Sequence, residues 1–396
     1  MRRITARRPR ILRGRRLGGA LGALLLVGAA HGGVAWSMPH IPDSDAQVLT
    51  ELPVGARHES ATARELTRSR LDIALPLAQF YVARSRATGD LRYLGYAEAM
   101  LQPWMQHSPV PPAVRVLEAT ILQSRHAFGA ALTQLELTLQ VQPDDAQAWL
   151  TRATVLRVLG RYDEALASCT HLAAEADAAI TSLCRESLRG LTGHLQSAYA
   201  VLLALPPQSL PPEARAWRYS ELGEMAERQG DDAAAEHWLR EGLQLAPEDF
   251  YMRAACADLL LRERRAAETL QLLAGYESIE PMLLRMVIAQ QLLGDSRGAQ
   301  YRALLASAFE VEQQRGEAVH RREQARFLLD VEQQPEAALA AAQENWRVQR
   351  EPDDLLILLR AAQAAQRPQG AAPALLFMQQ QGLQDARLEP YLAAPR

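Results

Sequence analysis

Two clusters in this 396-residue chain have side chains whose types and spacing suggest chemistry. Gly294-Asp-Ser296-Arg-Gly298 has the Gly-x-Ser-x-Gly form of a nucleophile elbow, in which a strand turns sharply into a helix and presents the serine. His320 and Glu323 lie three residues apart, with Arg321 and Arg322 between them and Glu317 just before. A metal site of the His-Glu-x-x-His kind needs a second histidine one helical turn on, and none follows. Local ion pairs on a solvated face, about 0.2–0.5 kcal/mol each, are the expectation there. The remaining histidines are scattered, so no metal site and no cofactor is expected. Every Lys-or-Arg position is arginine. That removes the P-loop lysine, the Schiff base and the Ser-x-x-Lys nucleophile.

The elements that must position these residues read most clearly in Ala216 to Asp249. Leu222-Gly223 and Ala226 are followed by Gly230-Asp231, then by Ala235, Leu239 and Gly242, and Pro247 closes the unit. Small residues at Gly223, Ala235 and Gly242 let two helices approach closely. Gly230 can take the left-handed conformation that ends the first helix, and Pro247 cannot continue the second. From Ala146 the same frame holds Trp149, Ala153, Leu156, Gly160, Tyr162 and Ala165. One period earlier, from Pro112, it holds Ala119, Leu122, Phe128, Ala131, Leu135 and Pro143. The pattern, at a period of about 34 residues, resembles the tetratricopeptide repeat family. The resemblance implies an all-α, right-handed α-solenoid of stacked antiparallel helix pairs, with the first helices lining a concave inner wall left free for guests.

The frame organises the whole chain. Residues 1–37 read as a signal peptide or membrane anchor: Met1 to Arg16 carries eight arginines, Leu17 to Ala30 is an uncharged apolar run, and Gly33, Ala35 and Ser37 offer cleavage sites. Residues 38–74 read as a linker and N-terminal capping helix. Residues 75–390 read as about nine repeats, clearest in 112–179 and 216–276. Pro76 is expected to start a helix, Pro103 to end one, and Arg264 stands where a turn glycine is expected. Whether cleaved or anchored, the leader's arginines stay cytoplasmic and the repeats lie outside: periplasmic, secreted, or facing the periplasm from the inner membrane. Loss of the leader takes the formal charge from −3 to −11, which argues against nucleic acid and against adhesion to anionic lipid.

In the repeat frame, Gly294–Gly298 falls on a helix–helix turn rather than a strand–helix elbow, so the nucleophile reading is set aside. The frame also implies that Cys169, late on one hairpin, and Cys184, early on the next, lie on neighbouring helices. They are either a disulfide or two small buried side chains, and Cys256 is left over. Carrying the family's groove positions over places Trp217, Glu221, Glu224, Glu227 and Arg228 on one unit's inner face. The next unit contributes Tyr251, Asp258 and Arg262, and a later one His320, Glu323, Phe327 and Asp330. Carboxylates outnumber arginines among them and aromatics are interleaved, which suits an extended peptide with basic residues. The implied function is a non-catalytic protein–protein interaction scaffold that binds a peptide or protein along the groove, in assembly of an envelope complex. The alternatives are an enzyme with a carboxylate site on the groove, such as Glu224 with Asp258, or a homo-oligomeric structural protein.

Overall fold

The computed structural model describes residues 69–175, 177–315 and 321–392. The leader, the linker, the proposed capping helix before residue 69 and His320 lie outside them. The described chain is all helix, arranged as successive hairpins. Hairpins 1 to 3 are α1 (Leu71–Thr88) with α2 (Arg92–Met105), α3 (Pro112–Ser124) with α4 (Phe128–Val141), and α5 (Ala146–Val158) with α6 (Tyr162–Glu175). Hairpins 4 to 6 are α7 (Ala178–Arg189) with α8 (Leu195–Ala204), α9 (Pro212–Arg228) with α10 (Asp232–Leu245), and α11 (Phe250–Arg262) with α12 (Ala266–Leu273). Hairpin 7 is α13 (Glu280–Leu293) with α14 (Gly298–Arg315). In hairpin 8, α15 (Arg321–Arg326) runs on through a wide turn at Phe327–Val331 before α16 (Pro335–Val348). Hairpin 9 is α17 (Pro352–Ala364) with α18 (Ala372–Gln381), and a last turn α19 (Glu389–Leu392) follows.

Each hairpin turns on one residue in the left-handed region: Gly89, His126, Gly160, Gly193, Gly230, Arg264, Gly294, Gln333 and Gln366. Five of these are glycine, for which the conformation costs nothing. The other four carry a Cβ and bear a strain of about 1–2 kcal/mol each, which helix packing on both sides must offset. Arg264, where glycine was expected, therefore makes the same turn. Asp145, Asp231 and Asp249 cap the first turns that follow them by accepting from the backbone N–H groups of Ala148, Ala234 and Met252. The prolines behave less simply than expected. Pro76 and Pro103 both lie inside their helices, which run from Leu71 and on to Met105.

Close packing follows the small residues. A Cβ at Gly223 would sit 2.8 Å from the Leu239 side chain, and one at Gly242 would sit 2.4 Å from Met252 Sδ. Cys169 and Cys184 are bonded across the α6–α7 seam, with Cα atoms 5.8 Å apart. Cys256 is fully buried and free, and burial pushes its thiol up to about 11.

The solenoid does not stay an open ribbon. Tyr162, 1% exposed, donates its hydroxyl to the carbonyl of Arg350, 188 residues further on. The Arg350 N–H donates to the Val158 carbonyl at 2.8 Å. Hairpins 2 to 4 and 8 to 9 share one apolar core, which includes Leu156, Leu188, Leu355, Leu358 and Phe377. Ile279, at the start of hairpin 7, seats against the turn at Gly89. The coil thus meets itself after one turn, and the inner wall expected to be free along its whole length is covered in its middle by the chain's own last hairpins.

Candidate functional site

The first helices of hairpins 1, 2, 3, 5, 6, 7, 8 and 9 surround a continuous cavity of about 2020 Å³. Two chemically different walls face each other across it. Along hairpins 1 to 3 most of the surface is uncharged, with Leu75, Gln79, Val82, Val116, Thr120, Gln123, Leu150 and Thr154, and its charged side chains are Arg86, Asp145 and Arg157. Its hydroxyls donate to backbone carbonyls one turn back, Thr120 to Val116 and Thr154 to Leu150, so their hydrogens are used and their capacity to accept remains.

Along hairpins 5 to 9, joined by Arg157 of hairpin 3, the wall is a network of arginines and carboxylates. Glu221, 1% exposed, accepts from Arg157 at 2.6 Å and from the Trp217 indole N–H at 2.9 Å. Glu224 accepts from the second Arg157 nitrogen at 3.1 Å and from the Tyr251 hydroxyl at 3.0 Å. Glu227 binds Arg262 at 2.5 Å and Arg387 at 2.9 Å, and Arg262 also reaches Asp232. Asp258 is clamped between Arg285 and Arg326, and Asp330 between Arg326 and Arg360. Arg228, buried, donates to the Gly190 carbonyl at 2.6 Å.

The protonation equilibria show how tightly this wall is packed. Burial, reinforced by Glu221, pushes the Glu224 carboxyl up to about 7 against the pull of Arg157. Burial likewise raises Asp354 to about 7, although Arg322 lies 3.4 Å away. Next to it, Asp353 resists burial because Arg387 and Arg322 hold it at about 2. Two adjacent acids are thus driven apart by their different cation contacts.

Of the residues picked from the sequence, Trp217, Glu224, Glu227, Arg228, Tyr251, Asp258, Arg262, Glu323 and Asp330 line the cavity. Glu221 and Phe327 do not: Glu221 lies beneath Arg157, and Phe327 is 3% exposed and packs on Phe309. The groove carboxylates are not left open for a basic guest, because arginines of the same, neighbouring and, at Arg387, distant parts of the chain already meet them. Those arginines, Arg157, Arg285, Arg322, Arg326 and Arg387, were missed, as was the uncharged wall. One signal was available: Arg86 and Arg157 both stand three residues before their left-handed turn residue, a position that faces the bore. Ser296 sits in the turn between α13 and α14, where Gly294 ends one helix and Asp295 pairs with Arg297. Among the described residues no group of three or more His, Cys, Asp or Glu side chains could hold a metal ion. None of the described helices is long and apolar enough to cross a membrane.

No family model and no curated protein matches the chain. Solved structures similar to it include PilF of Pseudomonas aeruginosa, 19% identical over 50% of this chain and 92% of its own, with a TM-score of 0.39. PilW, a type IV pilus biogenesis factor, is 20% identical over 50% of this chain and 94% of its own, also with a TM-score of 0.39. Human IFIT1, solved as a dimer with m7Gppp-AAAA, is 11% identical over 81% of this chain and 94% of its own, with a TM-score of 0.44. Likenesses this distant carry no argument about function, and the fold stands on the helix pairing itself.

Proposed function

From the premise of a tetratricopeptide-like solenoid coiled back on itself, we propose that the protein is a non-catalytic binding scaffold. It is exported by its basic and apolar leader and serves the assembly of an envelope complex. It holds an extended segment of a partner protein in the bore. The observation that carries this reading is the cavity of about 2020 Å³ with one wall of amides, apolar side chains and hydroxyls that can still accept a hydrogen bond. A wall of this kind gives an extended chain main-chain hydrogen bonds and apolar contact without the cost of stripping water from charges. The opposite wall, from Tyr251 to Asp330, holds the curvature and presents charge of both signs, which orients the guest and fixes its register. Stacked hairpins keep both walls rigid, so many weak contacts act together.

A photo-cross-linking residue placed in turn at Gln79, Gln123 and Thr154 in the native envelope tests this. One partner is expected from all three inner positions, and none from Leu137 or Leu245, two exposed apolar side chains on second helices. Equal capture from the second helices would sink the proposal.

The second reading is an enzyme that uses Glu224, whose pKa of about 7 suits proton transfer. Against it, both oxygens of that carboxylate already accept hydrogen bonds, from Arg157 on one side and from Tyr251 and Ser220 on the other. A general base needs a lone pair aimed at substrate. Glu224→Gln should therefore leave partner capture in place; loss of a turnover measured on an identified partner would favour the enzyme.

A further inference from the structure

The chain's own end enters the bore. After Gly382 closes α18, Asp385 caps a single turn at Ala386–Leu388 by accepting from the Arg387 N–H at 3.0 Å, and α19 follows. Arg387 reaches Glu227 of hairpin 5 at 2.9 Å and Asp353 of hairpin 9 at 2.8 Å, while Asp385 steadies it at 2.7 Å. Leu388 is fully buried in the shared core, and Pro390 and Tyr391 line the cavity. The other backbone bond of this turn, Leu388 N–H to the Asp385 carbonyl, also stays inside the segment. What holds the segment to the wall is an arginine between two carboxylates from different hairpins, followed by one buried leucine.

We propose that residues 385–392 are a built-in occupant of the peptide site. The partner the site fits is then a peptide bearing arginine followed by an apolar residue, able to take a helical turn there as the tail does, which competes with the tail for Glu227 and Asp353. This rests on the reading that the bore takes a peptide, and it adds that the charged wall is a recognition site masked by its own ligand. Three features carry it. The guanidinium is 10% exposed and satisfied by carboxylates that no single hairpin brings together. Burial raises the Glu227 carboxyl, and Arg387 and Arg262 each pull it back down, so a guanidinium at this position is what favours its charged form. A recess of about 440 Å³ adjoins Tyr391 and offers an occupant Asp330, Arg360 and Gln363 as further polar contacts.

The test uses the full chain and a fluorescent synthetic peptide of residues 384–392. Arg387→Ala and Leu388→Ala each loosen the tail, and each should bind the peptide at least about tenfold more tightly than the unmodified chain does. A peptide with glutamine for its arginine should lose that gain, and so should adding Glu227→Gln with Asp353→Asn. On the unmodified chain, excess peptide should raise amide exchange at 386–392 and leave α5 and α9 unchanged. Equal binding to loosened and unmodified chains overturns the proposal, as does no binding to either loosened chain or unchanged exchange in the tail. If inner-wall capture at Gln123 persists while these fail, the masked site alone falls. If peptide binds but Gln123 captures nothing, the tail inference stands and the partner scaffold falls.

Discussion

The two walls of the bore do opposite work with the same helical scaffold. Hairpins 1 to 3 present Gln79, Thr120, Gln123 and Thr154 toward a space that no described residue fills, whereas the polar groups of hairpins 5 to 9 mostly pair with one another, with Arg157 and with Arg387. Removing two opposite charges from water repays its cost only when geometry and further hydrogen bonds are good. The charged wall meets that condition in part: arginines from the same and neighbouring hairpins pair its carboxylates, Arg387 reaches Glu227 from 160 residues away, and Glu221 Oε2 with Arg157 Nε stay buried without a hydrogen-bond partner. The uncharged wall needs no such partners and can stay open. One wall is held by its own ion pairs and by the tail seated on it, the other is open, and the difference is set by where ionisable groups sit relative to the closure.

The largest expected effect comes from breaking the charged wall at its most buried point. Arg157→Ala leaves Glu221, 1% exposed, and Glu224 without their shared cation, and should cost about 3–5 kcal/mol by denaturant unfolding. A cost under 1 kcal/mol would show that the wall is solvated and the contrast false.

Stability against pH comes next. Glu224 and Asp354 are raised from 4.5 and 3.8 to about 7, so the folded chain holds their protons more tightly than the unfolded chain does. Their contribution is full below the unfolded values and is lost as pH rises through about 7. Asp353, lowered to about 2, acts the other way: its contribution is present above 3.8 and lost as pH falls through about 2. Between pH 5 and 8 the chain should lose stability on the order of 3 kcal/mol from each raised acid. Glu224→Gln with Asp354→Asn should flatten that slope in urea titrations run at several pH values. A slope that survives both substitutions would place the titration elsewhere.

The smallest effect belongs to the open wall. Gln123→Ala and Thr154→Ala should change stability by less than about 0.5 kcal/mol, as expected of surface positions whose strongest polar contact is Thr154's bond to a carbonyl of its own helix. They should weaken capture of the cross-linked partner at neighbouring Gln79. A stability loss above 1 kcal/mol, or unchanged capture, would erase the distinction between the walls.

What could be read from sequence follows from what leaves a periodic trace. Gly223, Ala235 and Gly242 mark close helix contact because only small side chains fit there, and Gly230 marks its turn because glycine is the residue that turns without strain. His126, Arg264, Gln333 and Gln366 make the same turn without the marker, since packing on both sides overrides a modest backbone preference. The inward face of Glu224, Glu227 and Asp258 was legible because hairpin register decides it. Their partners were not, because Glu227 meets Arg387 at a separation of 160 residues and no local pattern encodes a contact of that range. The closure hid the same way: Leu156 and Leu355 look like ordinary core positions of their own hairpins, and nothing in either says that the two cores are one.

A double-mutant cycle between Glu227 and Arg387 measures the closure most directly, since the two residues come together only if the coil meets itself. Glu227→Gln and Arg387→Ala, alone and combined, should show a coupling of about 1–3 kcal/mol in unfolding free energy. Additivity within about 0.5 kcal/mol would mean that the end of the chain does not sit in the bore and that the solenoid is an open ribbon.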